Sequence, residues 1–246
     1  MKRYLKNKEL LTKNFSYDQT MEHDACGVGM IATFDGKKSR KIVEYGIEAL
    51  KAIWHRGAVD ADGKSGDGAG IQIEIAPEFF KEKIIATGHK YDETKRICVG
   101  MIFLPRTDYV EQEKCREIIE SVLLEENYSI YGWRQVPFNS NVLGETAEQS
   151  RPEIVQVIFK KNKNLETNDL ERNLFEARKK IEKLARKKQL KNFYICSFSS
   201  RSIVYKGMFL AEMLAEFYPD LNDKKLSSRF AIFHQRYSTN TFPSWD

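Results

Sequence analysis

Apolar positions along the chain fall into two alternating rhythms, one of period two and one of period near 3.6. From Cys26 the run Cys-Gly-Val-Gly-Met-Ile-Ala-Thr-Phe is apolar and punctuated by glycine, which predicts a buried strand. Between Arg40 and His55, Ile42, Tyr45, Ala49, Leu50 and Ile53 recur at steps of three and four, the spacing of one helical face. Residues 57–70 carry five glycines and read as turns; Ile71, Ile73 and Ile75 then alternate as a half-buried strand, and Pro77 opens a short helix.

The alternation continues to the end of the chain. Residues 97–104 predict a strand, 109–126 a helix burying Val110, Ile118, Ile119, Val122 and Leu123, 129–136 an extended segment, and 154–159 a further strand. A helix over 169–188 has Leu170, Leu174, Ala177, Ile181 and Leu184 as its apolar stripe. Two short β runs, 192–199 and 202–206, predict a hairpin around Ser200-Arg201, followed by a helical stretch over 208–217 and a strand over 230–237. Strands interleaved with amphipathic helices indicate a mixed α and β domain, though pattern alone does not order the strands. Residues 1–25 show no sustained periodicity, and the character of the chain changes abruptly at Cys26.

Composition supports one folded domain: of 246 residues 41% are hydrophobic, with 15 Phe and 11 Tyr. The net charge of +5 is concentrated over residues 176–191, where eight basic side chains face only Glu176 and Glu182. No aromatics for base stacking are interleaved there, and the same helix has an apolar stripe to bury, so a solvated face is expected and nucleic acid is not an expected partner. Four cysteines, at 26, 98, 115 and 196, form no CxxC pair and have no close histidine cluster, so neither a metal site nor a disulfide framework is expected. Cys98 and Cys196 sit in apolar runs as small buried hydrophobes, and Cys115 lies in a charged helical stretch. No signal-peptide core and no run of 18 apolar residues occurs, which points to a soluble, cytoplasmic protein with no membrane partner.

Cys26 stands at the first position of a predicted strand, between Ala25 and Gly27, where small neighbours leave its sulfur accessible. Removal of residues 1–25 would make it N-terminal. Its free α-amine, with a reference pKa of about 7.7–8.0, would then be partly neutral near pH 7, able to take the thiol proton and pass it to a leaving ammonia. A buried strand cysteine behind an ordinary leader fits position and composition equally well. His55 and His234 read as structural residues, since an N-terminal cysteine needs no histidine base.

Three motifs in order resemble a known family. CGVGM from Cys26, His55-Arg56-Gly57-Ala58, and Gly66-Asp67-Gly68-Ala69-Gly70-Ile71 resemble the start of class II glutamine amidotransferases, and HQRYSTNTFPSW over residues 234–245 is similar to a signature of those in glutamate synthase large subunits. Other class II amidotransferases share the Cys-Gly start and the HxR motif without the NTFPSW continuation. The resemblance covers residues 26–246 and implies an α+β fold, the N-terminal-nucleophile hydrolase αββα four-layer sandwich, incomplete at its C-terminal side, preceded by a propeptide over 1–25.

It further implies a glutaminase that releases glutamate and ammonia from glutamine, with Cys26 as nucleophile, Arg236 binding the substrate α-carboxylate, Thr239 and Asn240 lining the glutamine pocket, and Gly27 and Arg56 close to the nucleophile. A guanidinium fork suits a carboxylate, although residue type alone equally allows Arg236 a surface ion pair and Arg56 a helix-end role. The glycine-rich 66–70 segment lacks the spacing of phosphate loops and is expected as a turn near the site. The family's oxyanion Asn-Gly pair and an Asp for the substrate amine are expected a few dozen residues beyond Trp245, so residues 1–246 alone are expected to be incomplete as a catalyst. FMN and an iron-sulfur cluster, an ammonia-consuming synthase domain and a small NADPH-oxidising subunit are expected in a parent protein, with no cofactor in residues 1–246.

Overall fold

The computed structural model describes residues 2–14, 26–238 and 241–246, and its core is built from two four-stranded antiparallel sheets. The first sheet has the order β1 (Gly27–Ala32), β8 (Phe230–Gln235), β2 (Ser65–Glu74), β7 (Ser202–Phe209). The second has the order β4 (Tyr128–Gln135), β5 (Glu153–Lys161), β3 (Cys98–Leu104), β6 (Tyr194–Ser199). Helices α1 (Lys2–Lys13), α2 (Arg40–Ala52), α3 (Pro77–Ala86), α4 (Tyr109–Glu125), α5 (Glu145–Gln149), α6 (Thr167–Lys187) and α7 (Leu214–Phe217) intervene in chain order.

Strand periodicity divides β3 between two cores. Val99, Met101 and Phe103 join the main core with β2, β7, α2 and α3, whereas Cys98, Ile102 and Leu104 face α4 and α6. β5 does the same, with Ile154 and Ile158 on one side and Val155, Val157 and Phe159 on the other. A strand with both faces buried reads as the continuous apolar run seen at 97–104.

The helix boundaries follow local signals. Ser39 caps α2 by accepting from Lys41 N–H, Asp108 caps α4 by accepting from Glu111 N–H, and Pro77 occupies the first turn of α3. Several expectations need correction. Ser65–Gly70 is not a turn but the first half of β2, with a register shift between Ser65 and Ala69 that absorbs the glycines. Tyr45 and Val110 are exposed; α2 buries Val43, Gly46 and Ile47 instead, and α4 buries Gln112 and Cys115. The β run from Ser202 extends to Phe209, and helix resumes only at Ala211. Residues 2–13, without apolar periodicity, form α1, which buries none of its residues and has a Glu9–Lys13 ion pair one turn apart.

A buried polar network ties the sheets together. Arg134 of β4 makes a two-pronged pair with Asp220, at 2.7 and 2.5 Å, and donates to Gln156 Oε1 of β5 at 2.9 Å. Tyr205 of β7 donates to Asp220 Oδ2 at 3.2 Å, and Gln156 Nε2 donates to the Tyr205 hydroxyl at 3.4 Å. Asp220 is 4% exposed and Arg134 13% as side chains, so the charges compensate one another out of water. Arg134→Met is expected to destabilise the fold by about 3–5 kcal/mol in urea unfolding, because it strands the Asp220 carboxylate; a change below about 1 kcal/mol would show that the network does not clamp the sheets.

Candidate active site

The ends of β1 and β8 build the site. Gly27 pairs with Gln235 in antiparallel register, which sets Cys26 beside the segment Arg236–Tyr237 although 211 residues separate Cys26 from Tyr237. The Tyr237 N–H donates to Cys26 Sγ at 3.5 Å, and the thiol donates to the Tyr237 carbonyl at 3.6 Å. Among the described residues the sulfur is thus hydrogen-bonded to backbone groups.

Close approach fixes the small residues around it. A Cβ on Gly27 would stand 2.8 Å from Ile53 Cδ1 and 3.0 Å from Arg56 Cβ, so glycine eases the close approach of the turn after α2 to the strand beside Cys26. A Cβ on Gly57 would stand 2.4 Å from Gln235 Nε2. Gln235 is buried, donates to the carbonyls of Gly68 and Arg236 at 3.2 and 3.3 Å, and leaves its own Oε1 without a partner among the described residues.

The expected turn at 66–70 is strand, but it does lie at the site. Asp67 accepts a hydrogen bond from Ser238 N–H, and the Gly68 carbonyl accepts from Arg236 N–H at 2.8 Å. Both bonds hold the chain on either side of Tyr237, whose N–H meets the sulfur. Asp62 orders the approach to β2: its carboxylate accepts from the Ser65 hydroxyl at 2.5 Å and from the N–H groups of Lys64, Ser65 and Thr146. The Ser65 hydroxyl bond, followed by those backbone bonds, holds the Asp62 carboxyl well below the usual carboxylate range.

Arg236 lines a cavity of about 370 Å³ together with Asp67, Gly70, Lys206, His234 and Trp245. Its guanidinium donates to the Thr241 hydroxyl at 2.5 Å, and among the described residues it makes no ion pair. The surface ion pair that residue type alone allowed is therefore not formed there. Cys26 is not part of that cavity's lining. Arg56 sits in the single turn after α2 with its side-chain base against Gly27. Thr239 and Asn240 lie outside the described residues, as do residues 15–25. His234 projects from the exposed face of the first sheet; burial first, and the charge of Arg236 second, lower its pKa below the ordinary value. Asp67, Gln235 and the backbone of Tyr237 went unread as site groups in the sequence; the short Gln235–Tyr237 interval within the motif was the available signal.

Burial pushes Cys115 up to about 11 and Cys196 up to about 12, and raises Cys98 further still. Among the described residues no group of His, Cys, Asp and Glu is arranged to hold a metal.

The chain belongs to the class II glutamine amidotransferases, whose family model matches residues 26–246. Its two antiparallel sheets and flanking helices are consistent with the αββα sandwich of the N-terminal-nucleophile hydrolases. Within that class it is 54% identical over 239 residues to the glutamate synthase [NADPH] large chain of Azospirillum brasilense, covering 97% of this chain and 16% of that protein. It is 45% identical over 227 residues to the ferredoxin-dependent glutamate synthase of Pyropia yezoensis and 42% identical over 233 residues to ferredoxin-dependent glutamate synthase 1 of Arabidopsis thaliana, covering 91% and 93% of this chain and 14% of each relative. The chain thus spans about a sixth of the length of these relatives or less. No described helix is long and apolar enough to cross a membrane.

Because Cys98 and Cys115 are buried and the pKa of the half-buried Cys196 is also pushed up, iodoacetamide at pH 7.5 is expected to alkylate Cys26 at least about tenfold faster than Cys98, Cys115 or Cys196. Peptide mass mapping of the native protein checks this; equal labelling of Cys196 would contradict the site geometry.

Proposed function

We propose that the chain is the glutamine-hydrolysing domain of a glutamate synthase, with Cys26 as its N-terminal nucleophile after loss of residues 1–25. The observation that carries the reading is the position of the Cys26 sulfur at the meeting point of β1 and the residue 236–238 segment, whose Arg236 lines a neighbouring cavity without a carboxylate partner among the described residues. The start of the family match at Cys26 supports the leader boundary.

In this reading the Cys26 α-amine takes the thiol proton and the thiolate attacks the side-chain amide carbon of glutamine. The amine then returns the proton to departing ammonia, and water hydrolyses the glutamyl thioester to glutamate. Arg236 holds the substrate α-carboxylate through its guanidinium fork, while Thr239 and Asn240 line the pocket and Arg56 supplies positive charge by the nucleophile. Gly27 keeps that approach open. The Tyr237 N–H steadies the sulfur as charge develops on it.

The ammonia serves amination of 2-oxoglutarate in a synthase domain, for which FMN and an iron-sulfur cluster are the redox groups, with a small NADPH-oxidising subunit or ferredoxin as electron source and the cytoplasm as the setting. In this reading those groups are held by other parts of such a protein.

A glutamine-like chloroketone is expected to add one equivalent to Cys26 in a protein that starts at that residue and extends through the oxyanion segment expected beyond Trp245, and Cys26→Ser to abolish both the adduct and ammonia release. Arg236→Met is expected to lower the second-order labelling rate by about 100-fold, in line with loss of a charged hydrogen-bonded pair, while leaving iodoacetamide labelling unchanged. Undiminished glutamine hydrolysis in Cys26→Ser would refute the proposal.

A further inference from the structure

The largest cavity among those described lies at the opposite end of the first sheet from Cys26. It measures about 720 Å³ and is lined by Lys38, Lys95, Arg96, Arg201 and Arg229, with Glu74 as its sole carboxylate. Glu74 is bound by Arg229, with side-chain contacts at 3.0 and 2.6 Å and a backbone N–H contact at 2.7 Å. Lys38, Lys95 and Arg201 meet neutral oxygens. Lys38 donates to the Ile75 carbonyl at 3.4 Å, Lys95 to the Asn162 carbonyl at 2.6 Å and to Asn164 Oδ1 at 2.8 Å, and Arg201 to Asn168 Oδ1 at 2.5 Å. None of Lys38, Lys95, Arg96 and Arg201 is in an ion pair among the described residues.

Two further features point the same way. Thr167, the first residue of the 21-residue α6, lines the cavity, and the N-cap residue Glu166 makes no side-chain cap bond, so the positive end of the helix dipole adjoins the space. Glu171, one turn on, is occupied by the hydroxyls of Ser199 and Ser200 and by Ser200 N–H; Asp169 stands in the first turn without lining the cavity. Tyr91, Phe230, Pro77 and Ile97 add an apolar and aromatic wall. Cations converging around a cavity of ligand size, with an uncapped helix end and a flat apolar wall, match the chemistry of a phosphate-bearing small molecule.

We propose that this cavity is a binding site for a phosphate-bearing polyanion, separate from the glutamine site. β2 runs from Asp67 and Gly68 beside the nucleophile to Glu74 at this cavity, a distance of about 20 Å at the rise of a strand. The site is independent of the glutaminase reading, since none of its lining residues touches Cys26 or Arg236.

Calorimetric titration of the protein with inorganic pyrophosphate and with ATP, without magnesium and at fixed 150 mM salt, tests it. Saturable one-to-one binding is expected, weakened about tenfold or more in Arg96→Ala/Arg201→Ala and, as a second pair, in Lys38→Gln/Lys95→Gln. Binding is expected to persist in Lys179→Ala/Arg186→Ala on the basic face of α6. ATP binding more tightly than pyrophosphate would identify a nucleotide using the aromatic wall, and equal affinities a phosphate group alone; both uphold the site. Absence of saturable binding, loss only in the α6 variant, or preference for a polyglutamate peptide over both probes would overturn it. The last result would assign the face to an acidic protein segment.

Discussion

The antiparallel pairing of β1 with β8 is the constraint on which the site depends. It closes a chain separation of more than 200 residues, and loop-closure entropy opposes that closure until the intervening sheets and helices are formed. The groups near the sulfur therefore assemble only as a consequence of the whole fold. A local defect far away, such as a broken contact between the two sheets, is transmitted to the sulfur because β8 also pairs with β2, and β2 with β7, whose Tyr205 joins the buried Arg134–Asp220 network.

Much of this fold is legible in the apolar pattern. β3 and β5 are buried on both faces and read as continuous runs, and α6 shows its stripe because its other face is charged and exposed. The failures have physical reasons. Glycines at 66, 68 and 70 read as turn residues, yet in β2 they permit close strand approach: a Cβ on Gly70 would stand 2.9 Å from Lys206 Cβ. Tyr45 satisfies the helical spacing of α2, but Gly46 faces the sheet because a side chain there would stand 2.6 Å from Ala231 Cβ, and this rotates the buried stripe. Pattern counts apolar residues and misses a glycine that marks the contact face.

For the site, residue chemistry alone left Cys26 and Arg236 each with two readings, and the ordered motifs were needed to separate them. Geometry adds what neither provides. Asp67 looked like part of a glycine-rich loop, whereas its carboxylate holds Ser238 N–H and so positions the backbone that meets the sulfur. Gln235 looked like an ordinary strand residue, whereas its buried amide fills the space that Gly57 leaves. Both act through backbone groups, which carry no residue signature, so a single sequence has no means of displaying them.

The two ends of the first sheet solve opposite electrostatic problems with the same strands. At the Cys26 end the cation Arg236 donates to the Thr241 hydroxyl and has no carboxylate partner among the described residues, which agrees with the substrate-carboxylate role proposed for it. At the other end Glu74 is compensated: burial works to raise its pKa, but Arg229 and the charge of Lys38 outweigh that and hold the carboxyl below its usual range. The excess charge there is positive and is carried by Lys95, Arg96 and Arg201 at the rim, so an anion entering the cavity need not displace an existing ion pair. A paired cation would first have to be separated from its carboxylate, which would offset most of the gain. The two proposed anion sites thus stand at opposite ends of β2, joined by its hydrogen-bonded pairing with β7 and β8.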